Sequence, residues 1–165
     1  PVHLAPLGLY SSKLNSIDEL VDGATVSIPD DPTNAGRALK LLSDQGLITL
    51  KEGVGVEATP ADIVANPKNL KIEMLQAEYL PRSLEDVDAS VINTNYYLDA
   101  AKHLGVKANV LARESAENNP YANIVAVRRG DEDRPEIKKL VELLQSEAVA
   151  KFIEENYGDA VIPAF

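Results

Sequence analysis

Apolar and polar positions change period several times along the chain, and each change predicts an element. From Ala24 to Ile28 small and β-branched residues alternate up to Pro29, which predicts a buried strand. Asp30-Asp31-Pro32-Thr33-Asn34 follows, dense in residues that satisfy or remove backbone donors locally, and predicts a tight loop. Ala38, Leu41 and Leu42 then recur at one-face helical spacing until Gly46, which suits a C-cap. A second unit of the same kind comes later. Residues 87–92 form an apolar strand, Asn93-Thr94-Asn95 a polar loop, and residues 96–103 a helix stopped by Gly105. Alternating units of this kind predict parallel βαβ pairing. Ligands gather at the carboxyl ends of such strands, so the two polar loops should face one crevice.

The other elements are weaker. Residues 1–10 read as one extended strand. Ser16-Ile17-Asp18-Glu19 has the form of a capping box opening a short helix to Gly23. Residues 47–50 suit a strand or a helix exit, and 51–58, with Gly53 and Gly55, a loop. Thr59 with Pro60 opens a brief helix through Val64, and Asn66-Pro67-Lys68-Asn69 is a turn. Residues 70–75 alternate like a half-exposed strand, and 78–84 form a helix despite Pro81. Asn118-Asn119-Pro120 breaks the pattern before a predicted strand at 121–128 and a charged turn at 130–134. Pro135 opens a helix with Ile137, Leu140, Val141 and Leu144 on one face, and Ser146 caps a last helix. The apolar end, 160–165, is expected to pack against something.

Composition narrows the function classes. The 165 residues are 45% apolar and 25% charged, an ordinary globular mixture for one domain or two small lobes. Sixteen Lys and Arg against 26 Asp and Glu give a net charge of −10, which disfavours nucleic acid and anionic membrane surfaces as partners. With no Cys, thiolate metal sites, disulfides and Cys nucleophiles are excluded, and no metal or cofactor is expected. The start at Pro1, without an initiator Met, leads us to expect an upstream segment.

Catalytic chemistry finds little support. His3 has no Ser or Asp beside it, and His103 sits near a helix end, where a cation suits the dipole. Asp30 and Asp31 read as loop-capping groups, and Gly36 alone makes no phosphate loop. Arg37 is the odd residue. The pattern puts it in the first turn of its helix, where the macrodipole disfavours a cation. Two readings fit: a solvated surface Arg, or a fork that shares an anion with the free amides of the helix start. Asn34, Asn93 and Asn95 lie on the two loops that should face each other. They are either helix caps or, with Arg37, a site for a zwitterionic amino acid, Arg holding a carboxylate and Asn accepting from an ammonium.

The stretches DGATVSIPDDPTNAGRALKLL, ADIVANPKNLKI, DASVINTNYYL, NPYANIVAVRRGD and AVIPAF, in that order, resemble the NlpA-type lipoproteins, the methionine-binding components of ABC importers. The resemblance runs from HLAPLGLYS to the last residue. It implies an α/β, type II periplasmic-binding-protein-like two-lobe architecture with the first lobe incomplete. Residues 1–10 would be a crossing strand of partial lobe I, 11–118 lobe II, and 119–165 the return strand and C-terminal helices of partial lobe I. It implies a binding function with no catalysis: methionine or a close derivative is held and delivered to ABC permease subunits. Arg37 would hold the ligand carboxylate, Asn34 would support that end, Asn93 would contact the head group, and Asn95 is a further candidate. It implies an extracytoplasmic protein attached to the membrane by an N-terminal lipid that this chain does not include. An effector-sensing domain or an enzyme on the same two-lobe fold is the alternative.

Overall fold

In chain order the computed structural model contains β1 (His3–Leu4), β2 (Leu7–Ser11), β3 (Thr25–Pro29), α1 (Pro32–Asp44), β4 (Thr49–Leu50), β5 (Ile63–Ala65), β6 (Lys71–Leu75), α2 (Leu80–Ser83), β7 (Ala89–Asn93), α3 (Thr94–Leu104), β8 (Asn109–Arg113), α4 (Pro135–Leu144), α5 (Glu147–Tyr157) and β9 (Ile162–Pro163). Residues 1–117 and 119–165 are described, so the break expected at Asn118 lies outside them. Two units result: Leu7–Glu114, and Pro1–Pro6 with Ser115–Phe165.

The larger unit is built on a five-stranded sheet ordered β6-β3-β7-β2-β8. β3 runs parallel to both neighbours, with Val26 beside Ile72 on one side and Ala89 on the other. The expected parallel pairing holds there. β2 departs from it, inserted antiparallel between β7 and β8, so the sheet is mixed. The 11-residue α3 joins β7 to β8 and supplies the long connection that two strands of the same direction require.

Period-two alternation sorts the side chains of β2 between two cores. Leu7 and Leu9 face the core shared with Val26, Ile28, Val91 and the α1 residues Ala38, Leu39 and Leu42. Each such buried aliphatic side chain contributes about 1.5–3 kcal/mol. Tyr10 faces the other way, into a smaller core with Leu80, Leu84 and Ile92, and its ring stacks on Tyr97 at 4.1 Å between centroids. Gly8 is needed there, because a Cβ at that position would come within 2.5 Å of the Tyr10 ring.

In the smaller unit β1 pairs antiparallel with β9, His3 opposite Pro163, which gives the apolar end its packing partner. Asn123 forms one bridge to His3, its N–H donating to the His3 carbonyl at 2.7 Å. The strand predicted at 121–128 does not otherwise form among the described residues. Alternation makes a segment competent to be extended, but a ladder needs partners along its length, and Ile124 and Val127 are exposed.

Other expectations change as well. The strand predicted at 1–10 is interrupted at Ala5 and Pro6, and β2 hydrogen-bonds within the larger sheet. The compact units divide after Pro6 and after Glu114. Ser16 does not cap: Glu19 accepts from the Asn15 N–H instead, and only a 3-10 turn, Ile17–Glu19, follows. Asp62 accepts from the Thr59 N–H as a capping box should, and from the Thr59 hydroxyl besides, yet the box opens only a 3-10 turn, Pro60–Asp62, before β5.

Candidate polar binding site

β3 and β7 are parallel neighbours, so their carboxyl ends lie at one edge of the sheet and release the chain into α1 and α3. Pro32 takes the first position of α1, where its missing N–H is no loss. Asp31 caps the helix, its Oδ1 accepting from the Asn34 N–H at 3.0 Å. The Asn34 and Ala35 amides are thus served by Asp31 from within the chain. Asn34 lies in the first turn and Arg37 in the second, one turn later than the sequence pattern placed it.

That position points Arg37 inward. Its side chain is 9% exposed, which decides against a solvated surface Arg. Nε donates to Glu114 Oε1 at 3.0 Å and Nη2 to Glu114 Oε2 at 2.6 Å, a bidentate ion pair. Nη1 donates to Asn34 Oδ1 at 3.2 Å. Glu114 Oε2 also accepts from the Leu7 N–H at 2.8 Å. The Asn34 Nδ2 group donates to both Asp31 carboxylate oxygens, at 3.2 and 3.0 Å. Asn93, the last residue of β7, donates from Nδ2 to Asn34 Oδ1 at 3.1 Å. Its own Oδ1 is buried and has no hydrogen-bond partner among the described residues.

Asp31, Asn34, Arg37, Asn93 and Glu114 therefore form one connected set. Two helix starts, a guanidinium neutralised by a carboxylate and one unanswered carbonyl oxygen suit recognition of a small polar ligand. Asn95 stands outside this set, exposed on the first turn of α3. Across the sheet Tyr10 is fully buried, and burial raises its hydroxyl pKa above the usual tyrosine value, against smaller lowering effects from Thr94 and Arg113.

A model of the NlpA lipoprotein family matches residues 1–165. The chain belongs to the NlpA lipoprotein family. Among relatives, the methionine-binding lipoprotein MetQ of Bacillus subtilis is 43% identical over 165 residues, covering 98% of this chain and 60% of that protein. Among solved structures, an ABC transporter periplasmic substrate-binding protein from Coxiella burnetii is 45% identical with a TM-score of 0.87, covering 99% of this chain and 67% of its own. A nutrient binding protein from Burkholderia cenocepacia bound to methionine is 47% identical, also with a TM-score of 0.87, covering 99% and 68%. This NlpA-family chain thus has the α/β fold of periplasmic substrate-binding proteins and spans about three fifths of the Bacillus relative's length.

Other features of the NlpA-family chain lie away from the polar set. His103 is exposed in the last turn of α3, 3.6 Å from Asp99, and His3 belongs to the smaller unit. A cavity of about 590 Å³, lined by Arg82, Leu84, Leu104 and Lys107 among others, opens at the carboxyl end of α3, opposite the end that carries Asn93. Among the described residues no cluster of His, Asp and Glu could hold a metal ion, and no helix is long and apolar enough to cross a membrane. Sequence reasoning missed Glu114. The one local signal was a charged residue directly after the strand 109–113, and its partner Arg37 is 77 positions away.

Proposed function

We propose that this protein is the substrate-binding component of an ABC importer and that it binds methionine or a close derivative with no chemical step. The observation that carries this reading is the convergence of Arg37, Asn34 and Asn93 at the carboxyl ends of β3 and β7, in a chain 47% identical to a protein with methionine bound. In this reading Arg37, held in place by Glu114, meets the ligand carboxylate, Asn34 supports that end, and Asn93 meets the amino-acid head group. Asn95 is the outermost candidate. The Leu7–Glu114 unit would be the lobe carrying the head-group side. The relatives' names support an extracytoplasmic location, lipid attachment and permease subunits as partners.

The test is calorimetry on the full-length protein with L-methionine. The expected result is saturable binding of one methionine, weakened about 5- to 150-fold in Asn93→Ala, the range for one lost buried hydrogen bond. No binding by the wild type refutes the ligand. Unchanged affinity in Asn93→Ala refutes the site.

A further inference from the structure

The polar set has a direction that its chemistry forces. Asp31 is a carboxylate and can only accept, so the face of Asn34 turned toward it must be the NH₂ group. Arg37 can only donate, so the face of Asn34 turned toward Arg37 must be the carbonyl oxygen. The two constraints lie on opposite sides of one amide and agree. They fix a choice that heavy-atom positions alone leave open. Asn34 Oδ1 is thereby an acceptor for Asn93 as well, so Asn93 must turn its NH₂ toward Asn34. Its oxygen is then left pointing away from the set, the one buried polar atom of these five residues with no partner. Glu114 secures the starting point. It binds Arg37 through two parallel hydrogen bonds and is itself held by the Leu7 N–H, so the guanidinium cannot rotate to offer another edge.

We infer that Asp31 and Glu114 are positioning residues which, through Arg37 and Asn34, lock the Asn93 amide with its carbonyl oxygen toward the ligand, so that the site selects ligands carrying an N–H donor, an α-ammonium, at that point. This rests on the amino-acid-binding reading above and deepens it. An unlocked Asn93 could turn either end to its ligand and would accept a donor or an acceptor alike. The locked one leaves an unanswered acceptor buried whenever the ligand lacks a donor, and that penalty is the source of discrimination.

The experiment compares two ligands by calorimetry on the full-length protein: L-methionine and its des-amino analogue, 4-(methylsulfanyl)butanoate, which keeps the carboxylate and thioether. The wild type is expected to prefer methionine by about 10- to 100-fold. In Asn34→Leu, which removes the acceptor that orients Asn93, that preference should fall by about tenfold. In the exchange Asp31→Asn with Asn34→Asp, residue 34 still offers only acceptors to Arg37 and Asn93 and residue 31 donates to it, so the preference should return to the wild-type ratio. If Asn34 instead touches the ligand carboxylate directly, both ligands weaken together in Asn34→Leu and the ratio stays constant, which overturns the inference. Loss of the preference in the exchanged variant overturns it too. Equal binding of both ligands by the wild type overturns it with no variant needed and leaves methionine binding standing. Absence of methionine binding by the wild type refutes the underlying reading.

Discussion

Gly36→Ala should destabilise the protein, although the same change in a free helix would stabilise it. Gly36 occupies the interior of α1, two positions beyond Asn34 and one before Arg37. In an unobstructed helix Ala is favoured over Gly by about 1 kcal/mol. Here an added Cβ would lie 2.0 Å from the Val56 carbonyl oxygen and 2.8 Å from its carbon. Val56 belongs to the 3-10 turn Gly55–Glu57, which packs against this face of α1. The obstacle is backbone, so no side-chain rotation relieves it, and the turn must retreat by about an ångström before the contact reaches 3.0 Å. Overpacking of that order costs about 1–3 kcal/mol and more where backbone must move. Set against the propensity gain, the net loss should be about 1–2 kcal/mol. For a chain of this length that lowers Tm by roughly 2–8 °C. Urea and thermal denaturation followed by circular dichroism measure it, with an unchanged m-value showing that the unfolded state is the same. An equal or higher Tm would refute the close approach of Val56, and with it the placement of this turn against the helix that carries Asn34 and Arg37.

Three further outcomes are expected. Arg37→Ala strands the Glu114 carboxylate, 11% exposed, without its cation and should lower stability by about 3–5 kcal/mol in denaturant titration; a change below 1 kcal/mol would match only a solvated Arg. Ser27→Ala should cost about 1–3 kcal/mol, because the fully buried Ser27 hydroxyl donates to Ser90 at 2.7 Å, so its loss takes that donor from a fully buried partner; Ser27→Ala with Ser90→Ala should cost less than the two single changes added together. Tyr10 ionises at higher pH folded than unfolded, so its contribution is present below its usual pKa of 10.0 and is lost as pH rises through the raised value. Stability measured from pH 8 to 11 should fall at the upper end, less steeply in Tyr10→Phe.

Periodicity carried the elements whose neighbours are close in sequence. β3, α1, β7 and α3 were readable because each buries one face against the others, and that burial imposes a period on the residues. Asn34 and Asn93 were readable as a pair for a topological reason. Both follow strands expected to run parallel, and the structure joins them by a hydrogen bond of 3.1 Å across 59 positions. The segment 121–128 has an equally good pattern and forms a single bridge, since alternation describes what a strand could bury and says nothing of whether partners lie beside it. Ser16 does not cap because the Glu19 carboxylate answers the Asn15 N–H instead, a choice between neighbouring amides that the residue pattern does not encode.

Arg37 shows how far residue type and spacing reach: they predicted an anion beside it, and the structure supplies Glu114. A guanidinium near a helix start does mean an anion nearby, and sequence suggested that the anion would be a ligand. The nearest anion is Glu114, which occupies the bidentate edge from the end of β8. Which charged groups answer one another is a property of long-range pairing, so residue type and spacing cannot convey it. The pairing holds two of the guanidinium nitrogens on Glu114 while the third, Nη1, donates to Asn34 Oδ1. In the proposed site, charge would then set the direction of the amides as much as it attracts, and the discriminating atom would be Asn93 Oδ1, a neutral oxygen.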